Sequence, residues 1–176
     1  MKAAFVLILF AASAFSQAIA QDQAAITAAE VGCGPKNVKF DANQDTTQHP
    51  TPQPETGKAL VYVVQNLGEL QCTGCALTKV GLDGMWLGAT QGSSYVYFPV
   101  EPGERHICVN WQSRLGWRSR SLALANFTAE AGHVYYFRIR LSISRFIYSF
   151  DLDPVNSDEG RLLVASSAFS VSHPKK

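Results

Sequence analysis

Charge is scarce in this chain. Only 16% of its 176 residues are charged, and 15 Lys and Arg against 14 Asp and Glu leave a net charge of +1. That balance lacks the basic footprint of a dedicated nucleic-acid binder, so that class is set aside. Long apolar runs are confined to the N-terminus, and no later segment is long and apolar enough to cross a membrane as a helix. Internal repeats are missing, and so is any recognisable catalytic constellation. The histidines His49, His106, His133 and His173 fall in a proline-rich loop, at two strand starts and in the tail. His106 and Cys108 share a strand face but sit about 6–7 Å apart at the backbone, with no third group to orient them as a nucleophile pair. Asp151, Asp153, Asp158 and Glu159 cluster without the alternating D-x-D-x-D-G loop of a Ca²⁺ site. No cofactor is expected.

What is present begins with an address. One charge, Lys2, precedes an apolar run from Ala3 to Phe15, and Ala18-Ile19-Ala20 fits the A-x-A cleavage rule. The run is too short to span a bilayer and polar chain follows, so residues 1–20 read as a secretory signal cut before Gln21. No cysteine stands at the cut, so lipid anchoring is not expected. The expected mature protein is soluble and exported, periplasmic or extracellular. Its roughly 156 residues suit one domain with a sizeable core. It carries Cys33, Cys72, Cys75 and Cys108. An even count in an oxidising compartment predicts disulfides, and four cysteines allow three connectivities. Our expectation joins Cys33 to Cys72 or Cys75 and leaves the other near Cys108.

Residues 21–56 read as an N-terminal extension. It holds a short strand at Val38–Asp41 and then DANQDTTQHPTPQPETG, where Pro50, Pro52 and Pro54 deny ladder donors and keep the chain extended. Residues 57–176 read as an all-β domain. Ala59 to Val64 is β-branched and aromatic with no polar interruption, which predicts a central strand buried on both faces. Asp83-Gly84 predicts a two-residue type I′ turn, and Pro102-Gly103 a second reversal. Ile107 and Val109 should face one way, His106, Cys108 and Asn110 the other. Along His133–Leu141 and Phe146–Asp153 a single register opposes Ile139 with Leu152, Leu141 with Phe150, Arg140 with Asp151 and Arg138 with Asp153. That register implies a four-residue loop at Ser144–Ile147 and solvent-facing ion pairs. Ser157-Asp158-Glu159 looks like a helix start before Arg161–Ala165, with a final strand there as the alternative. Short strands with turns every eight to twelve residues predict an antiparallel β-sandwich of about 7–9 strands with a short C-terminal helix.

The order V-x-L-D-G-x-x-x-G-A-T, then P-V-E-P-G-E-x-H-x-x-x-V, resembles the PEGA-type surface domain of bacteria. With the Gly57–Val63 strand, the Ala131–Arg138 strand and the tail DPVNSDEGRLLVASSAFSVSHPKK, the chain from Gly57 onward is also similar to an exported bacterial family of unknown function. The resemblance implies a transthyretin-like or PEGA-like sandwich. It brings no activity, ligand or catalytic residue.

Two features could carry function. Cys72-Thr73-Gly74-Cys75 is a CxxC, but no βαβ pattern surrounds it and no second regular pair completes a zinc site, so structural disulfides are the favoured reading. A periplasmic thiol/disulfide or metal-binding protein using Cys72 and Cys75 is the alternative. Arginine is concentrated between Arg105 and Arg145, with Glu130 as the only acid in that span. Arg138 and Arg140 are assigned to sheet pairing. Arg114, Trp117, Arg118 and Arg120 remain as a partner-binding loop, suited to an envelope protein, a glycan or an anionic lipid headgroup. The overall expectation is a non-catalytic binding or structural module of the cell envelope.

Overall fold

The apolar run at Ala59–Val64 organises the molecule. In the computed structural model, which describes residues 33–66, 77–112, 119–120, 122–144 and 147–176, every residue of strand β2 (Ala59–Gln65) is buried. Its alternate residues serve two cores. Ala59, Val61 and Val63 point between the sheets, where they meet Val80, Ile107, Val109, Phe137, Ile139, Phe150 and Leu152. Leu60, Tyr62 and Val64 point outward, under Leu163 and Val164 of the C-terminal helix. Each fully buried aliphatic or aromatic side chain contributes about 1.5–3 kcal/mol relative to exposure. A polar residue at any of these positions would cost one core or the other.

The remaining strands are β1 (Phe40–Asp45), β3 (Leu77–Leu82), β4 (Met85–Gln91), β5 (Ser94–Val100), β6 (Gly103–Trp111), β7 (Ser119–Arg120), β8 (Leu122–Ala129), β9 (Val134–Ser144), β10 (Ile147–Val155) and β11 (Ala168–Pro174), with helix α1 (Ser157–Ala165) before β11. They form a seven-stranded sheet, β1-β11-β5-β2-β9-β10-β7, and a four-stranded sheet, β4-β3-β6-β8. This is the all-β, sandwich-like fold expected. Antiparallel pairing dominates, but β2–β9, β5–β11 and β7–β10 run parallel. Alternation reports which face a residue takes and is silent on strand direction. Eleven strands among the described residues exceed the seven to nine expected: β7 falls in the segment read as a partner-binding loop, and after Arg161 the helix and the strand read as alternatives both occur in succession.

Turn chemistry follows the sequence closely. Asp83 and Gly84 have φ of 48° and 84°, the paired positive values of a type I′ turn. Asp83 also anchors the turn sideways, accepting from the His106 backbone N–H at 2.9 Å and pairing with Arg105 at 3.0 Å. The β9–β10 hairpin has the expected register, including Arg140 opposite Asp151 and Arg138 opposite Asp153. Its ladder runs on to the Ser144–Ile147 pair, so the connection is two residues, not four. The ion pairs also differ from expectation. Arg140 reaches diagonally to Asp153 at 2.6 Å, and Arg138 turns to Glu159 on α1. A guanidinium is long enough to pass its directly opposed residue, so register and ion pairing separate.

Helix α1 starts at Ser157, where the sequence suggests, but its cap is the residue before, Asn156. The Asn156 carboxamide oxygen accepts from the N–H groups of Asp158 and Glu159 at 3.0 and 2.9 Å, a double N-cap. Gly160 lies where the helix crosses Tyr136 of β9. A Cβ there would come within 2.2 Å of the Tyr136 ring, so only glycine lets the helix lie this close. Together with the Arg138–Glu159 pair, this sets the helix on the outer face of the large sheet.

The disulfide joins Cys33 to Cys108, correcting the expected bond from Cys33 to Cys72 or Cys75. Cys108 projects outward from β6, opposite Ile107 and Val109 in the core, and the Cys33 segment crosses that outer face with the two Cα atoms 5.4 Å apart. Cys72 and Cys75 lie outside the described residues. At the margin of the small sheet, Ser172 Oγ accepts from the Ala89 N–H at 3.0 Å and Ser170 Oγ donates to the Ala89 carbonyl at 2.8 Å. Side chains of β11 thereby occupy the free edge of β4 and tie the two sheets together.

Candidate functional site

Tyrosines recur on the outward-facing positions of the central strands, at Tyr62 on β2, Tyr95 and Tyr97 on β5 and Tyr136 on β9. Cross-strand pairing lines them up: Tyr62 opposes both Tyr97 and Tyr136. The rings of Tyr62 and Tyr136 stack with centroids 5.2 Å apart, and Tyr62 lies 6.1 Å from Tyr95. Offset and tilted aromatic pairs at these separations add to the stability that burial supplies. The result is a rigid aromatic floor on the outer face of the large sheet.

Two walls rise from it. One is the proline segment. Its prolines have no N–H to offer, but their carbonyls accept: Tyr95 Oη donates to Pro50 O at 3.0 Å and Tyr62 Oη to Pro52 O at 3.3 Å. The His49 ring sits edge-on to Tyr95 at 5.2 Å. The other wall is α1, with Ser157 and Arg161 one turn apart on a shared face and Val164 below them. Between the walls lies a half-open cleft of about 670 Å³, lined also by Gly132 and His133 from the β8–β9 turn. Ligand pockets for small molecules fall in this range of size.

The electrostatics of the cleft are simple. Burial pushes the phenols of Tyr62 and Tyr95 up to about 12, so both remain protonated donors at neutral pH. The Tyr136 phenol is also raised by burial, with the Arg161 charge pulling against it, which places that guanidinium near the ring. No hydrogen bond to the Tyr136 hydroxyl is found among the described residues. Arg161 itself pairs with Asp158 across one helical turn, with both side chains largely exposed. None of the described residues lining the cleft is acidic. Such a site can bind, orient and partly dehydrate a ligand. The raised phenols of Tyr62 and Tyr136 serve there as hydrogen-bond donors.

The sequence candidates fall elsewhere. Cys33 and Cys108 lie on the opposite side of the sandwich, in the disulfide, so the Cys108–His106 pair has no free thiol. Arg114, Trp117 and Arg118 lie outside the described residues, and Arg120 is placed only as part of β7 beside β10. His49 and His133, set aside in the sequence as loop and strand-end residues, are brought to the same cleft. Tyr62, Tyr95, Tyr136 and Arg161 were not singled out. The available signal was a tyrosine at the outward position of three neighbouring strands, including one inside an otherwise aliphatic run. No group of three or more His, Cys, Asp or Glu among the described residues is arranged to hold a metal ion.

No curated protein matches the chain. A family model does match, over residues 55–149, more than half the chain. The matched span supplies the floor of the cleft through Tyr62 of β2 and Val134 and Tyr136 of β9, while the proline wall and the helix wall lie outside it. By that match the chain belongs to a protein family of unknown function, DUF2846.

Proposed function

We propose that this is an exported, non-catalytic binding module of the cell envelope, and that the tyrosine-floored cleft is its ligand seat. The observation that carries the reading is an open, ligand-sized cleft whose walls hold hydrogen-bond donors and a permanent cation over a rigid aromatic base. Export rests on the N-terminal apolar run and the A-x-A site. The disulfide fits an oxidising compartment. The cleft is built by packing that is already complete: Tyr62 is only 3% exposed, and Gly160 fits the helix to Tyr136. A preformed seat of this kind binds without first paying to order itself.

The test is to fill the seat. Ala165 lines the cleft and is exposed at the end of α1, so Ala165→Trp blocks the space without entering the core. Natively exported protein and this variant are titrated with peptidoglycan fragments, purified envelope glycan and anionic lipid vesicles, following Tyr136 and Val134 by NMR. Saturable shifts in the wild type that vanish in Ala165→Trp support the proposal. Identical shifts in both place binding elsewhere and overturn it. Mass spectrometry of the mature N-terminus checks export, since an intact Met1 on exported protein contradicts it.

A further inference from the structure

We infer that the cleft takes an organic carboxylate: Arg161 and the Tyr136 hydroxyl hold the carboxylate while Pro52, Val134 and Val164 receive an apolar body. This rests on the binding reading above and names the chemistry of the ligand. Three observations lead to it. The described lining contains Arg161 and no acid, so an anion is attracted and a cation is repelled. Among the described residues Arg161 pairs only with Asp158, three residues before it, and their side chains are 67% and 91% exposed. Such a pair is worth little in water, so a ligand carboxylate can take the guanidinium at small cost. The Tyr136 hydroxyl adds a donor that no described protein group uses, close enough to feel the Arg161 charge.

The same inventory selects a carboxylate over a phosphate. One guanidinium matches a single carboxylate in a planar two-bond fork. A phosphate dianion asks for several cations or a cradle of backbone N–H groups. The N–H groups at the start of α1 are not free to form that cradle, because Asn156 already accepts from Asp158 and Glu159. Besides His49 and His133, the remaining lining includes apolar Pro52, Val134, Val164 and Ala165 beside uncharged Thr51, Gln53 and Ser157. This gives the body of the ligand a dry surface and a polar rim, the usual division in small-molecule sites.

The experiment uses matched pairs that differ only in charge: benzoate and benzamide, octanoate and octanamide, with inorganic phosphate as a third anion. Each is titrated into the mature, oxidised protein and followed by NMR at Val134, Tyr136 and Ala165. Carboxylates are expected to bind about tenfold or more tighter than their amides, in keeping with the strength of charge-assisted hydrogen bonds. Arg161→Gln is expected to remove that preference while leaving amide binding unchanged, and Tyr136→Phe to weaken carboxylate binding with the melting temperature held. Phosphate is expected to bind more weakly than benzoate. Equal affinity for acids and amides, or full carboxylate affinity in a folded Arg161→Gln protein, overturns the carboxylate assignment and leaves the binding seat standing. No shift at the cleft from any of these probes or from the envelope fractions overturns both.

Discussion

The N-terminal extension crosses both outer faces of the sandwich, and it does so in two different ways. Over the small sheet, residues 33–40 are clamped down. Cys33 is bonded to Cys108, Trp86 Nε1 donates to Pro35 O at 2.9 Å, and Lys79 Nζ donates to Val38 O at 3.0 Å while lying 4.1 Å over the Trp86 ring. The approach is so close that a Cβ on Gly81 would meet Cys33 O at 2.7 Å. Over the large sheet, residues 50–54 are held by two phenol hydroxyls, and beside them a cleft stays open. The chain uses the same chemistry in both places: an extended segment presents carbonyls to side-chain donors. The first contact seals a face, and the second stands off far enough to leave a seat for a ligand. Covalent closure accompanies structure here, and hydrogen bonding alone accompanies the candidate function.

The difference can be broken from the stronger side first. Replacing both Cys33 and Cys108 by serine removes a cross-link between residues 75 apart in sequence. In the chain-entropy model this costs about 4 kcal/mol of stability. Chemical denaturation should show that loss, with the cleft's ligand response retained in the folded fraction. Gly160→Val acts on the looser side. The added atoms meet Tyr136, and overpacking of this kind costs about 1–3 kcal/mol. The variant should lose both melting temperature and cleft binding, because the helix wall must move. Gly84→Val, at a turn far from the cleft with φ of 84°, should cost about 1 kcal/mol or more without touching binding.

Finer tests separate the hydroxyls. Tyr95→Phe and Tyr62→Phe each remove one bond to a proline carbonyl, at about 1 kcal/mol apiece. Limited proteolysis should then cut first near Thr51 and not near Lys36. The smallest effect is a pH dependence at Lys79. This side chain is 5% exposed, and burial lowers its pKa below the ordinary 10.5. The unfolded lysine therefore holds its proton to higher pH than the folded one. The folded state carries a penalty at neutral pH that fades as pH rises toward 10.5. Stability of the wild type relative to Lys79→Met should rise between pH 7 and pH 10. A relative fall would show that the contacts to Val38 and Trp86 outweigh burial.

Much of the sandwich was legible because its signals are local or periodic. The β9–β10 register followed from one alternation that satisfied apolar and charged positions together, and the Asp83–Gly84 turn from residues that tolerate positive φ. The doubly buried β2 followed from its unbroken apolar run. What remained hidden depends on which distant elements meet. Pairing of β2 with β9 joins residues more than 70 apart, and nothing in either strand names the other. The Cys33–Cys108 bond was missed for the same reason. The cleft was hidden because each of its parts has an ordinary reason to exist. Tyr62 fits a strand, His133 a turn, Arg161 a helix surface, and their meeting appears only when α1 packs on Tyr136.

The first strand of the described fold is completed by the last. β1 pairs with β11, Phe40 opposite Pro174 and Asp45 opposite Phe169, and it lies at the end of its sheet with no other neighbour among the described residues. A chain growing or emerging from its N-terminus must therefore hold β1 unpaired until β11 has arrived. During that time the β4 edge also lacks the serines of β11 and stands open to strand exchange with another chain. Loop-closure entropy makes such a long-range pairing a late event. Removing Ala168–Pro174 would leave two exposed strand edges and a stranded β1, and the expected product is an aggregating chain instead of a slightly shorter domain.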